Sequence, residues 1–580
     1  MPRNTLVLTA RLKVNLVGLV ILLTSMVHTA ASAAVSPIPL LVEQCLRYNF
    51  PTDTIDSALD SDTNAITFER QLIGFFNIND RINYYRQYPL SYADRELVLQ
   101  CQLYLADELA LYLDSSQFQS LQFSFANNKS QQITALLKRI NQLSKNSQSP
   151  TYKAQLHTAQ AAFKQKLSSQ ALNLNISDKT CELSHSTAGE AENSFNGSLA
   201  SYLIKQPDEQ CRKRVWQAYQ ARASDKNKTA LATITALRQQ QALQAGFANY
   251  SQFKLDEQML HSSEIVEQFL LSQTHNIEIA PWDLGRALAS APSSHVTAMD
   301  SSQWLVLAAK ELEALAIGFE WINEKSIRVW HKQRLLGDIY LTENKKIAIK
   351  PIRQLVVGQQ FGQIELSLPA KLSRYQQQRQ AIKAVATAVK KLSKGHQFYL
   401  LNTISETADS SNIDALWLEY WLLDKLLKAP QAGSREAILL LYSEQLVVFR
   451  SKVAIDLYRA GTRSATFDHH QQFSLGFGKY WDKTADAPFT FSAIVYEGPL
   501  YYQKLWQKNV AHYIYQSTKA CQDQSAIFDT LVVNEPADSI EVILQTLLGS
   551  PITAVPLITR IQHAFDAKNK YPSRCTFLQQ

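Results

Sequence analysis

Long stretches of helical period, broken by one short β-rich interval, constrain this chain more than any single residue does. "DRELVLQCQLYLADELALYL" (94–113), "SQQITALLKRINQLSKN" (130–146), "TYKAQLHTAQAAFKQKLSSQALNL" (151–174) and the stretch 210–260 all read as helices, because apolar residues three and four apart share one helical face. Only 17 glycines and 18 prolines punctuate 580 residues, too few for a turn-rich β fold. Between about 326 and 368 the pattern changes. "SIRVWHKQRLLGDIYLT", "KKIAIKP", "RQLVVGQQ" and "QIELSL" are short, β-branched and separated by turn residues, so they predict the strands of a small sheet. Helices resume near 372, apart from a loop-rich segment at 462–490, and "SHSTAGEAENSFNGS" (184–198) predicts another loop. The expected class is mainly α with one small β insertion.

The first 33 residues carry the marks of an export signal. Arg3, Arg11 and Lys13 form a charged start, "VNLVGLVILLTSMV" is an apolar stretch, and Ala31-Ser32-Ala33 offers small residues for cleavage. The apolar run is short for a membrane span. The mature chain is expected to begin near Ala34, outside the cytoplasm, in a periplasm or secreted, with no membrane attachment once the signal is gone. A retained anchor is the alternative.

Cysteine usage agrees with export. Cys45, Cys101, Cys181, Cys211, Cys521 and Cys575 are even in number and all lie beyond the signal, as an oxidising compartment permits. Six cysteines allow about 15 connectivities. Neighbour pairing (Cys45 with Cys101, Cys181 with Cys211, Cys521 with Cys575) is the expectation, and buried free thiols are the alternative. No CxxC occurs. The net charge of +7 comes without any dense basic run interleaved with aromatics, so no nucleic-acid partner is expected.

"RQAIKAVATAVKKLSKG" (379–395) shows the pattern in miniature. Ile382, Val385, Val389 and Leu392 make one apolar face, while Lys383, Thr387, Lys390, Lys391 and Lys394 lie on the other. Gly395 follows as a stop signal. Alone, it is a surface helix with a solvated charged face.

Its neighbours suggest more. "CRKRVWQAYQAR", "TALRQQQALQAGFANYSQF" and "KLDEQML" (210–260), "APWDLGRAL" (280–288), "GFEWINEKSIRVWHKQRLLGDIYLTENKK" (318–346), "LWLEYWLLDKLL" (416–427), "IVYEGPLYYQKLWQKNVAHYIY" (494–515) and "VILQTLLGSPITAVPLI" (542–558) follow one another in a characteristic order. In that order they resemble the thimet oligopeptidase and oligopeptidase A family of zinc metallopeptidases, over roughly residues 90–560. The resemblance implies an elongated helical body with a deep central channel. It also implies a division into an N-terminal helical region (34–200), a metallopeptidase-like domain (201–560) and a C-terminal tail (561–580). In such a family a His-Glu-x-x-His helix holds zinc through two His at i and i+4, and the Glu between them serves as base. A Glu on a later helix completes the protein ligands and leaves one position for water.

Anchored on Glu419-Tyr420-Trp421, the resemblance puts the family's third zinc ligand at Asn412. The first His falls on Lys383, the base on Ala384 and the second His on Thr387. No HExxH exists in any register, because no two of the twelve histidines are four apart and none precedes a Glu. An ammonium, a methyl, a hydroxyl and an amide are poor substitutes for zinc donors and a base. Ser492 (or Ala493) stands where the resemblance expects the His that opens the Gly/Tyr loop, and Glu497 near an expected Tyr. Tyr501 and Tyr502 remain, either to bind peptide or to pack.

Other candidates carry less. His469 and His470 are adjacent and diverge on a helix, and His396 stands alone. Glu406, Asp409 and Asp414 lie in one acidic stretch that reads as a solvated loop or a weak cation site. The expectation is a pseudopeptidase without zinc or another cofactor, which binds a peptide or a protein partner. Two alternatives stand beside it: an active metallo-oligopeptidase with a rearranged site, and a structural subunit of an active relative.

Overall fold

The computed structural model describes residues 36–50, 61–145, 149–168, 179–181, 199–459, 468–565 and 575. The expected export signal and the loop at 184–198 lie outside the described residues. The helix Ile38–Leu46 and four longer ones build the N-terminal lobe among the described residues: α1 (Ser61–Tyr85), α2 (Tyr92–Leu113), α3 (Ser116–Ala126) and α4 (Gln131–Lys145). Serine hydroxyls start two of them, Ser91 accepting from the Asp94 N–H and Ser115 from the Phe118 N–H, which satisfies amide donors a helix start leaves open. Phe68, Leu72, Phe75, Phe118, Phe125 and Leu136 bury one another between these helices, and Val356 and Phe398–Leu401 from later in the chain join them.

Four more helices frame the middle of the molecule: α5 (Tyr375–Leu392), α6 (Ile413–Leu426), α7 (Arg435–Arg459) and α8 (Gln503–Thr518). The apolar face of α5 is the expected one, with Ile382, Val385, Val389 and Leu392 all buried. Gly395 does not cap it. Ser393 does, and Gly395 lies against Val533, whose Cγ1 would stand 2.8 Å from an added Cβ. Close packing, not helix termination, accounts for that glycine.

One five-stranded sheet packs on α5. Its strands are β1 (Ile317–Asn323), β2 (Ser326–His331), β3 (Arg334–Glu343), β4 (Ala348–Arg353) and β5 (Gly362–Leu368), in the order β1-β2-β3-β5-β4, with only β3 and β5 parallel. The first strand lies ahead of the interval expected from sequence. Its last four residues are exposed, so it lacks the buried alternation that marks a strand. "RQLVVGQQ" is not a strand either. It turns back on itself at Gly358 (φ +77°) with Val356 bridged to Gln360, and it sends Val356 into the N-terminal lobe. Gly337 and Gly362 let β3 and β5 meet, since a Cβ on Gly337 would lie 2.0 Å from the Gly362 carbonyl oxygen.

The N-terminal lobe grips this sheet through Glu365 of β5. Lys350 Nζ lies 2.7 Å from its carboxylate, Tyr84 donates at 2.6 Å, and Tyr88 donates as well. Burial pushes the Glu365 carboxyl up, but these three donors outweigh it and pull it down to about 2. Two further acids on α1 have no such cation in contact. Glu69 accepts the Tyr399 N–H, and burial pushes it up to about 8. Asp80 accepts the Tyr399 hydroxyl, and burial pushes it up to about 6.

A third apolar cluster joins the helix Pro150–Ser168 to Ser224–Gln244 and to Trp216, Trp282 and Phe473. The packing boundary after the N-terminal lobe therefore falls between α4 and Pro150. The last helix, Ala554–Phe565, runs past residue 560. All six cysteines are paired as neighbours: Cys45–Cys101, Cys181–Cys211 and Cys521–Cys575. Among the described residues no helix is long and apolar enough to cross a membrane.

Candidate functional site

The polar face of α5 lies along α6, and the two helices run in opposite directions. Near the end of α5, Lys394 Nζ reaches Asp414 Oδ2 at 2.7 Å and Lys390 Nζ reaches Oδ1 at 3.4 Å. Lys390 also donates to the Ser411 carbonyl at 3.2 Å. One carboxylate thus serves two lysines, and although burial raises Asp414, the two cations outweigh it and hold it below the usual carboxylate range. Towards the start of α5, Arg379 and Lys383 face Glu419, farther along α6.

Lys383, Ala384, Thr387 and Asn412 all sit on or beside this stripe. Lys383 is exposed and Ala384 is buried. The Thr387 hydroxyl turns back onto its own helix and donates to the Lys383 carbonyl at 2.8 Å. Asn412 is exposed at the start of α6, where its side chain makes no capping bond. This donor set does not fit zinc: the ammonium repels a dication, the methyl cannot accept a proton, and the hydroxyl already serves the backbone. Among the described residues no three His, Cys, Asp or Glu side chains come together to hold a metal.

The remaining sequence candidates scatter. Ser492 precedes the short helix Ala493–Tyr496, and Glu497 accepts from Lys504 at 2.8 Å. Tyr501 packs its ring 5.4 Å from Phe491. Tyr502 is not available to a peptide: it is fully buried, and its hydroxyl donates to Asp409 at 3.0 Å. Asp409 also accepts the Met259 and Leu260 N–H groups and the Thr407 hydroxyl. The acidic stretch is therefore no cation site, because Glu406 accepts the Ile540 N–H and Asp414 is held by its lysines. The histidines have work elsewhere too. His469 reaches Asp456 at 3.0 Å, His470 meets the Trp481 carbonyl at 2.8 Å, and burial pushes His396 down to about 3.

Beside the start of the stripe opens a cavity of about 1000 Å³, bounded by α5, α6, α7 and α8. Leu423, Leu427, Leu440 and Tyr515 give it an apolar wall, and Arg379, Asp424, Lys428, Glu444, Lys508 and His512 give it charged and polar points. His512 stacks on Tyr420 with ring centres 4.7 Å apart, and burial pushes its imidazole down to about 4, so it is neutral at pH 7. Lys508 pairs with Glu444. Sequence reasoning passed over Arg379, although it stands one turn ahead of Lys383 on the same face. It used Glu419 only to fix the alignment.

Residues 202–279 match the family model described as peptidase family M3. Over that segment the chain is similar to peptidase family M3. The match ends ahead of α5, so it rests on the helices before the sheet and not on the stripe. Three solved structures share the overall fold. A carboxypeptidase from Pyrococcus furiosus is 9% identical, with 87% of this chain and 98% of that one covered at a TM-score of 0.50. An M32 carboxypeptidase from Deinococcus radiodurans R1 is also 9% identical, at the same coverages and a TM-score of 0.51. PZ peptidase A, solved with an inhibitor, is 10% identical, with 91% of this chain and 96% of that one covered and a TM-score of 0.50. At these identities the likeness is one of fold. No curated protein matches the chain. The M3 likeness agrees with the expected class: a helical metallopeptidase fold with a small sheet.

Proposed function

We propose that this protein is an exported, zinc-less pseudopeptidase whose cleft binds peptides without cleaving them. One observation carries the reading. The α5 face that the M3 resemblance assigns to zinc presents Lys383, Ala384 and Thr387, with Asn412 across from it, while a cavity of about 1000 Å³ remains beside that face. Removing one member of a catalytic unit already costs orders of magnitude in rate, and here the metal ligands and the base are all replaced. Fold likeness supplies a body and a cleft; it does not supply an activity. Three disulfides and the leader-like start support export.

An active site rebuilt from His396, His469, His470 or the acidic stretch has little in its favour, since each of these side chains is buried or engaged in bonds of its own. The test is titration of purified mature protein with short peptides, alongside an assay for their cleavage. Binding without turnover supports the reading. Cleavage that a chelator abolishes would overturn it.

A further inference from the structure

We propose that the cavity holds its peptide by a carboxylate, gripped by Arg379 and Lys383. This rests on the reading of the cavity as a peptide cleft. Arg379 lines the cavity, and Lys383 follows one turn later on the same face of α5. Neither side chain makes a hydrogen bond or an ion pair among the described residues, in contrast to Lys390 and Lys394 farther along the helix. The acid that faces them, Glu419, is half-buried and likewise has no hydrogen-bond or ion-pair partner in contact. Two cations without an ion pair therefore face one acid without an ion pair, with Lys508 also within electrostatic reach of that acid. The cavity beside them carries Asp424, Lys428, Glu444 and Lys508 among its leucines and tyrosines. Lys508 is taken up by Glu444, and Asp424 accepts the Tyr515 hydroxyl, so a surplus of positive charge remains on the Arg379 side.

The chemistry of the walls narrows what can answer it. Leucines and tyrosines suit apolar side chains, and a guanidinium beside an ammonium suits a carboxylate. A bare inorganic anion would leave the apolar wall unused, and a neutral apolar ligand would leave Arg379 and Lys383 unmatched. An apolar peptide bearing a carboxylate satisfies both. The carboxylate can belong to the peptide's C-terminus or to an acidic side chain, and the geometry asks only for the group. Glu419 then acts as an internal competitor, already drawing on the same two cations.

Calorimetric titration of the mature protein tests this with three forms of one acetylated Leu/Phe peptide: the free acid, the C-terminal amide, and the amide with a Glu at its centre. At least one acid-bearing form is expected to bind about tenfold or more tighter than the plain amide, an advantage that salt weakens. Arg379→Ala and Lys383→Ala should each remove most of it. Glu419→Gln should move affinity the other way, several-fold tighter, which a loss of fold would not produce. Equal binding of all three peptides overturns the carboxylate inference and leaves the peptide cleft standing. Absence of binding by every form at high micromolar concentration overturns the cleft reading and the inference with it. Looser binding by Glu419→Gln also contradicts the inference.

Discussion

The two ends of α5 carry the same kind of side chain on the same stripe and put it to opposite use. Lys390 and Lys394 close on a buried Asp414 and tie α5 to the start of α6. Arg379 and Lys383 make no ion pair; they only face Glu419 at a distance, and Arg379 lines a cavity. A buried ion pair is expensive to break, because one partner is left charged and dry, whereas a solvated cation adds little to stability. The difference teaches that a run of lysines on a helix has no single meaning. Its role is set by whether the facing helix offers a carboxylate within reach.

The largest loss from one substitution should come from breaking the closed end. Asp414→Ala strands Lys390 and Lys394, and we expect it to cost about 3–5 kcal/mol in denaturant unfolding. A loss below about 1 kcal/mol would show that both lysines escape to water and that the two ends are alike.

A second contrast lies under the N-terminal lobe, where acids on α1 and on the sheet should respond to pH in opposite directions. Glu365, pulled down to about 2, adds stability that is present above its usual range and is lost as pH falls towards 2. Glu69, pushed up to about 8, favours the folded state while protonated. Its contribution is therefore lost as pH rises from the ordinary carboxylate range towards 8, by roughly 4–5 kcal/mol at most. Asp80, pushed up to about 6, works in the same direction over a narrower window. Unfolding free energy measured from pH 5 to 9 should decline, and Glu69→Gln should flatten that decline. A rise across this window, or an unchanged slope in the variant, would contradict the assignment.

The smallest effect belongs to the open end. Lys383→Ala should change stability by less than about 0.5 kcal/mol. A melting temperature lowered by many degrees would mean that Lys383 holds the cleft floor together, as a buried substitute for the metal would.

The sequence carries the helical faces well, because period alone decides them: Ile382, Val385, Val389 and Leu392 are buried as their spacing predicts. Pairing of neighbouring cysteines was also open to a sequence reading, since each pair staples elements close in the chain. Contacts across long separations were not. Tyr502 lies next to Tyr501 and resembles it in sequence, yet only Tyr502 finds a buried acid, Asp409, 93 residues away. The strand Ile317–Asn323 escaped because its exposed end breaks the alternation. Arg379 was overlooked because what matters about it is the lack of a partner, and partners are known only once α5, α6 and α8 are assembled.

The central claim is that the α5 face has no use for zinc. It is tested most directly by the zinc content of the purified mature chain after incubation with zinc and extensive dialysis. The account predicts less than about a tenth of a zinc per chain. About one zinc per chain, removed by a chelator and lost on changing His469 or His470, would contradict it and point to a metal site built elsewhere in the fold.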